Sequence, residues 1–349
     1  MFDIKPLQSL AAGHWFKLIC GASYQSLPTV RNLALAYALA GADCIDMAAD
    51  LAVVAAAKEG LAVARALSGE SYARPLLMVS MSAGEDPHFR KAWFDADLCP
   101  AECPRPCERV CPAAAIDGAG VVCDRCYGCG RCLPVCPLGL IEARSHPTSL
   151  DAIARQVLTQ VDALEIHTQV GHFDAFAALW STLRPWIDHL RLISISCPDG
   201  AGYIDYLKSL QRLMDLSQSK TVLMWQTDGR PMSGDIGKGT THAAVRLAQK
   251  AVASDLDGPI QLAGGTNEYT VVKLREAGLW QSVQSSFQAD SAGPRKVAGI
   301  AYGSFARHLL MPVLMPVLEQ NHYLEEVPQA LQQAVALAES LVKPLKVAD

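Results

Sequence analysis

Nine of the twelve cysteines lie between Cys99 and Cys136, in CPAECPRPCERVCPAAAIDGAGVVCDRCYGCGRCLPVCP, and thiolates at this density suit iron. Cys126, Cys129, Cys132 and Cys136 stand at C-x2-C-x2-C-x3-C-P. In that spacing three thiolates take three corners of one cubane, and the fourth, before proline, reaches a neighbouring cluster. Such a run requires a second one, and Cys99, Cys103, Cys107 and Cys111, followed by Pro112, supply it at x3, x3, x3. The crossed pattern assigns Cys99, Cys103, Cys107 and Cys136 to one [4Fe–4S] cluster and Cys126, Cys129, Cys132 and Cys111 to the other. Cys123 is left over, either replacing an upstream ligand or standing free beside a cluster as a redox-sensitive thiol. Zinc knuckles pair two short runs across a longer gap, and disulfides belong to exported chains, so both fit this spacing less well. Gly128 and Gly130 let backbone amides approach cluster sulfurs. Cys20, Cys44 and Cys197 stand alone in apolar contexts and read as core.

Outside the cassette, Lys17, Asp46, Glu165, His167, Gln226 and Asp228 sit on or just after apolar, strand-like runs and are ligand-pocket candidates. Glu165 and His167 are two residues apart, so on a strand they point to one side, and they are the first choice among these. A hydrogen-bonded structural pair is the alternative, since no nucleophile or metal motif accompanies them. Gly264, Gly265, Thr266 and Asn267, with Gly303 and Ser304, fall at strand ends where many barrels hold a phosphate on backbone N–H groups. They permit FMN or another phosphorylated ligand; tight turns without a ligand account for the same glycines. The stretch from Asp228 to Thr241 superficially looks like a P-loop, but Met232 occupies the first glycine position and Gly239 the Ser/Thr position after Lys238. A mobile loop over the site fits better, with Lys238 able to meet an anion.

The elements that must position these residues alternate strand-like and helix-periodic runs, the pattern of parallel strands with helical crossovers. Eight strand runs begin near Phe16, Cys44, Pro75, Ala163, Leu190, Thr221, Pro259 and Val297. Pro28–Leu39 reads as a helix stopped at Gly41, and Ser149 as the N-cap of another. An open doubly wound sheet gives the same alternation, but the count of eight favours a TIM-like (β/α)8 barrel. The cassette then forms a bacterial-ferredoxin-like 2[4Fe–4S] insertion after the third strand, over the barrel face where active sites form. The expected division is barrel over 1–84, iron–sulfur insertion over 85–147, and the remaining barrel with C-terminal helices over 148–349.

Composition sets outer limits. With 50% hydrophobic residues, 19% charged and a net charge of −5, the chain should fold around a large core, and it carries no basic block for nucleic acid. The opening MFDIKPLQSLAAGHW lacks the pattern of a secretory signal, so a cytoplasmic protein is expected. Leu309–Leu318 is strongly apolar but too short to span a bilayer and holds two prolines; a buried, kinked helix is expected, not an integral membrane protein.

The opening WFKLICGASYQSLPTVRNLALAYALAGADCIDMAAD, both cysteine runs with CDRCYGCGRCLPVCPLGLIEA, and IQLAGGTNEYTV resemble the light-dependent period (LdpA) family of cyanobacteria over nearly the whole chain. The resemblance implies an iron–sulfur redox sensor that relays the light-dependent redox state of the cell to the circadian clock. Clock proteins would be its partners, with quinone or ferredoxin-like redox partners beside them, and no enzymatic reaction is implied. Two other expectations stand against it. One is a barrel oxidoreductase whose clusters pass electrons to a flavin or small substrate; the other is a plain electron carrier. For a sensor, the loop after the sixth strand and the segment His308–Leu318 are the expected responsive surfaces.

Overall fold

The computed structural model describes residues 4–69, 72–145, 150, 153–230, 237, 239–280 and 295–346. All eight expected strand runs form. They are β1 (Trp15–Ile19), β2 (Cys44–Ala48) and β3 (Leu76–Ser82), then, beyond the cassette, β8 (Ala163–His167), β9 (Leu192–Pro198), β10 (Val222–Asp228), β11 (Ile260–Ala263) and β12 (Gly299–Tyr302). Pairing runs β1-β12-β11-β10-β9-β8-β3-β2 and closes into a barrel, so the open-sheet alternative does not apply. Every barrel pair is parallel, which is why the strands read as apolar runs buried on both faces.

The intervening four strands are short and belong to the insertion. β4 (Arg90–Trp93) pairs antiparallel with β7 (Glu142–Ser145), bringing the entry and exit of the cassette together at its root. Between them β5 (Ile116–Asp117) and β6 (Gly120–Val121) form a small hairpin.

Helices α1 (Lys5–Ala11), α2 (Leu27–Leu39) and α3 (Leu51–Ser68) precede the cassette, and α4 (Pro106–Val110) lies within it. After it come α5 (Phe173–Leu183), α6 (Tyr203–Met214), α7 (Thr241–Val252), α8 (Thr270–Glu276), α9 (Ser304–Glu319) and α10 (Pro328–Lys346). α2 ends just before Gly41, whose φ of +92° turns the chain towards β2 at little cost for a residue without Cβ. Asp50 caps α3 by accepting from the amides of Ala52 and Val53. The expected N-cap Ser149 lies outside the described residues; in the helix expected after it, Leu150 is α-helical, Ile153–Val157 winds as a π-helix and Leu158–Gln160 tightens into a 3-10 turn. α9 contains Leu309–Leu318 as a helix: Leu310, Met311, Val313, Leu314 and Val317 are buried, while Pro312 and Pro316 face outward. No helix among the described residues is long and apolar enough to cross a membrane.

Two apolar regions divide the core. The larger joins the outer faces of the strands to the helices. The smaller closes the barrel floor, where Leu7 and Leu10 of α1 pack with Trp15, Cys44, Leu76, Met78 and Met224. Cys20, Cys44 and Cys197 are fully buried, as expected of core cysteines.

Candidate functional site

The cassette thiols fall into two groups. Cys111 acts electrostatically on Cys126, Cys129 and Cys132, and lines a cavity with all three. Cys136 acts on Cys99 and Cys107 from the other side, and Cys103 faces Cys99. Burial, then Cys129, Cys126 and Cys111, pushes the Cys132 thiol up to about 12. Cys136 goes the other way: the amides of Leu140, Leu138, Ile141 and Gly139 outweigh its burial and hold it below the ordinary thiol range. The Ala92 amide donates to Cys126 Sγ at 3.3 Å and the Ala115 amide to Cys111 Sγ at 3.2 Å. Soft sulfur donors in two groups, with amides aimed at them, suit iron–sulfur clusters better than a closed zinc knuckle. Cys123 is exposed, and its carbonyl accepts from Lys91 Nζ at 2.7 Å.

This module rests on the loop after β1, at the strand C-termini. The Gln25 amide donates to the Asp124 carbonyl at 2.9 Å, and Lys91 Nζ donates to Gln25 Oε1 at 2.9 Å. Tyr127 is buried edge-on against Tyr24, with ring centroids 6.1 Å apart, and its ring lies 4.0 Å from the Arg307 guanidinium. Arg307 in turn donates to the Ile19 carbonyl at 2.6 Å, tying the cassette to the end of β1 and the start of α9.

Below the cassette the barrel interior is polar, unlike the branched apolar layers common in this fold. The structure brings together all six strand residues singled out from the sequence. Lys17 is fully buried, ion-paired to Glu165 and 3.4 Å from Asp46. Burial alone would lower Lys17, but Glu165 and Asp46 outweigh it and hold it above its ordinary value. Burial would raise Glu165, yet Lys17 and His167 bring it down to about 2, whereas burial pushes Asp46 up to about 6. Gln226 Nε2 bridges Glu165 at 2.9 Å and Asp228 at 3.1 Å, and Ser194 Oγ donates to Glu165 at 2.8 Å. His167 Nε2 stands 3.2 Å from Glu165 Oε1, and its Nδ1 3.5 Å from Asp86 Oδ2. Those two carboxylates override the burial that would lower His167 and hold it well above the usual imidazole range.

Of the strand-end glycines, Gly264 and Gly265 serve close packing, whereas a Cβ at Gly303 would meet only ordinary contacts. Gly265 has φ +98°, and a Cβ there would fall 2.6 Å from the Thr240 carbonyl oxygen. Thr240 Oγ1 donates to the Gly265 carbonyl, and Asn267 Nδ2 to that of Gly237, strapping the loops after β10 and β11 together. Gly264 likewise has positive φ, and a Cβ there would meet the backbone of Gly229 and Arg230. Thr266 Oγ1 donates to the Ala301 carbonyl at 2.7 Å, and Ser304 Oγ, one residue after Gly303, accepts from Arg307 at 3.2 Å. Lys238 and residues 231–236 of the preceding loop lie outside the described residues.

Sequence reasoning missed Asp86, His88, Ser194, Ser196 and Gln261, whose Nε2 donates to Gln226 Oε1 at 2.5 Å. Alternation along LISISC would have put Ser194 and Ser196 on one face of β9, as it did Glu165 and His167 on β8. Asp86 and His88 precede the cassette in a loop with no period, so only the pairing of β3 with β8 brings them beside His167.

A family model described as the light dependent period A C-terminal domain matches residues 157–344, and one described as the LdpA Fe-S cluster-binding domain matches residues 99–147. Light dependent period A of Synechococcus elongatus (strain ATCC 33912 / PCC 7942 / FACHB-805) is 56% identical over 342 residues, which cover 98% of this chain and 94% of that protein. Among solved structures, Mycobacterium tuberculosis tryptophan synthase aligns with a TM-score of 0.45 at 10% identity, over 99% of this chain and 100% of that one. Tryptophan synthase subunit alpha from Legionella pneumophila aligns with a TM-score of 0.35 at 12% identity, over 98% and 97%. The barrel assignment rests on the strand pairing itself.

Proposed function

The chain belongs to the light-dependent period A family, and from that premise we propose that it is an iron–sulfur redox sensor that relays the light-dependent redox state of the cell to the circadian clock. Its iron–sulfur-binding domain spans residues 99–147. The observation that carries the finer reading is the division of the thiols into two groups, each joining one run to a cysteine of the other. In this reading Cys99, Cys103, Cys107 and Cys136 hold one [4Fe–4S] cluster, and Cys126, Cys129, Cys132 and Cys111 hold the second. Residues 85–147 are then the redox unit, and 1–84 with 148–349 the barrel beneath it.

What the bound clusters supply is a one-electron change of charge above the barrel mouth. The chain's own part is to favour and report that change. The amides of Ala92 and Ala115 point partial positive charge at Cys126 and Cys111, which stabilises the more negative, reduced state. β4 and the Tyr127–Arg307 contact join this unit to the barrel and are the elements that a charge difference would bias. Clock proteins are the proposed downstream partners, with quinone or a ferredoxin-like protein as the redox source.

Iron, sulfide and flavin content of anaerobically purified protein, with electron paramagnetic resonance after dithionite reduction, tests this reading. About eight irons per chain and no flavin are expected. Stoichiometric flavin would favour the barrel oxidoreductase instead, and zinc in place of iron would overturn the cluster assignment.

A further inference from the structure

Asp86, His88 and His167 meet at the mouth between β8 and the loop after β3. Each offers one ligand atom, and these atoms all lie within 4.8 Å of one another. His88 Nδ1 is 2.5 Å from Asp86 Oδ1, His167 Nδ1 is 3.5 Å from Asp86 Oδ2, and the two imidazole centroids are 4.8 Å apart. Ligand atoms sharing one ion of zinc's size stand about 3.3 Å apart, so small side-chain rotations would bring all three onto it.

The surroundings of His167 add an independent observation. Its Nε2 stands 3.2 Å from Glu165 Oε1, a carboxylate with no solvent exposure. Lys17, Ser194 and Gln226 fix that carboxylate from three sides. Nε2 therefore carries the proton donated to Glu165, which leaves Nδ1 as the donor atom facing Asp86, with Ser196 Oγ 3.3 Å away. A histidine whose second nitrogen donates to a buried carboxylate is the usual support of a metal ligand, because it fixes the tautomer and makes the ring more basic.

We propose that Asp86, His88 and His167 form a site for a divalent first-row transition ion at the barrel mouth, separate from the cassette cysteines, with Glu165 as the positioning residue of His167. Two imidazoles and one carboxylate on one side of an ion suit zinc, ferrous or manganous ions and leave positions open for water or a small ligand. Without an ion, the same groups hold one another as a hydrogen-bonded cluster, and binding releases the intervening protons.

The test uses the whole cluster-bearing protein, washed with chelator under argon and dialysed against graded zinc(II), with zinc and iron counted in each sample. Wild-type protein is expected to retain one more tightly held zinc per chain than His88→Ala or Asp86→Asn. Glu165→Gln is expected to bind that zinc roughly 10- to 100-fold more weakly while keeping the stoichiometry. His88 is partly exposed on a short turn, and circular dichroism of both mouth variants reports whether the barrel is intact. Equal zinc in wild type and both variants would assign the metal to thiols and overturn the site, as would no zinc in any of them. The difference between wild type and variant does not depend on the clusters, whose own reading stands or falls on the iron counted alongside.

Discussion

Lys17 keeps its charge with no solvent exposure because Glu165 and Asp46 surround it. Such a buried group is costly unless paired, and removing one partner leaves the others uncompensated. Lys17→Met should therefore cost about 3–5 kcal/mol in anaerobic denaturant titrations. Adding Glu165→Gln should return part of that loss, since the second change removes an orphaned charge. The sign with pH is set by Asp46. Its folded pKa of about 6 lies above its unfolded value, so the stability it contributes is present at low pH and is lost as pH rises through about 6. Loss of Lys17 raises Asp46 further and releases Glu165 upward from its low value, so the variant's deficit should grow between pH 5 and pH 8; a flat deficit would mean that packing, not charge, is responsible. The six polar strand residues were legible in the sequence because each interrupts an apolar run. Their pairing was not, since Lys17 and Glu165 meet only when the barrel closes.

At the level of elements, the barrel strands were legible because parallel strands buried on both faces read as continuous apolar runs. β4 was not, because RKAW has no alternation and becomes a strand only where β7 returns beside it. That strand has a second role in the amide of Ala92, which points at Cys126 Sγ rather than into the ladder. Ala92→Pro removes the donor while leaving the rest of the pairing with β7 available. It should shift the potential of the nearer cluster to more negative values in an anaerobic redox titration, with iron content unchanged, because one fewer dipole stabilises the reduced charge. Ala92→Gly keeps the amide and should leave the potential close to that of the wild type. Equal shifts in both variants would point to a disturbed strand instead of a lost hydrogen bond.

For the whole molecule the question is why an iron–sulfur-binding module should sit on a barrel at all. Position in the chain already placed the insertion at the strand C-termini, since a loop that comes after a barrel strand opens there. The contacts that make it more than a neighbour were hidden, because Tyr127 and Arg307 are far apart in sequence and no periodicity links them. Two routes leave the module: residues 86–93 run from the mouth histidines to the Cys126 contact, and Tyr127 leans on Arg307, which holds the end of β1. The barrel floor is built differently, with α1 packed over Trp15 and Asp43 paired to Lys346 of α10. An added electron can bias only contacts that differ between the two charge states, and those lie at the mouth. Hydrogen exchange of oxidised and dithionite-reduced protein should therefore change over residues 86–93, 19–25 and 303–308 and stay constant over 5–16 and 341–346. If neither end responds, the barrel does not read the clusters and an electron carrier is the better description; if both respond alike, reduction loosens the fold as a whole and no directed relay through the mouth exists.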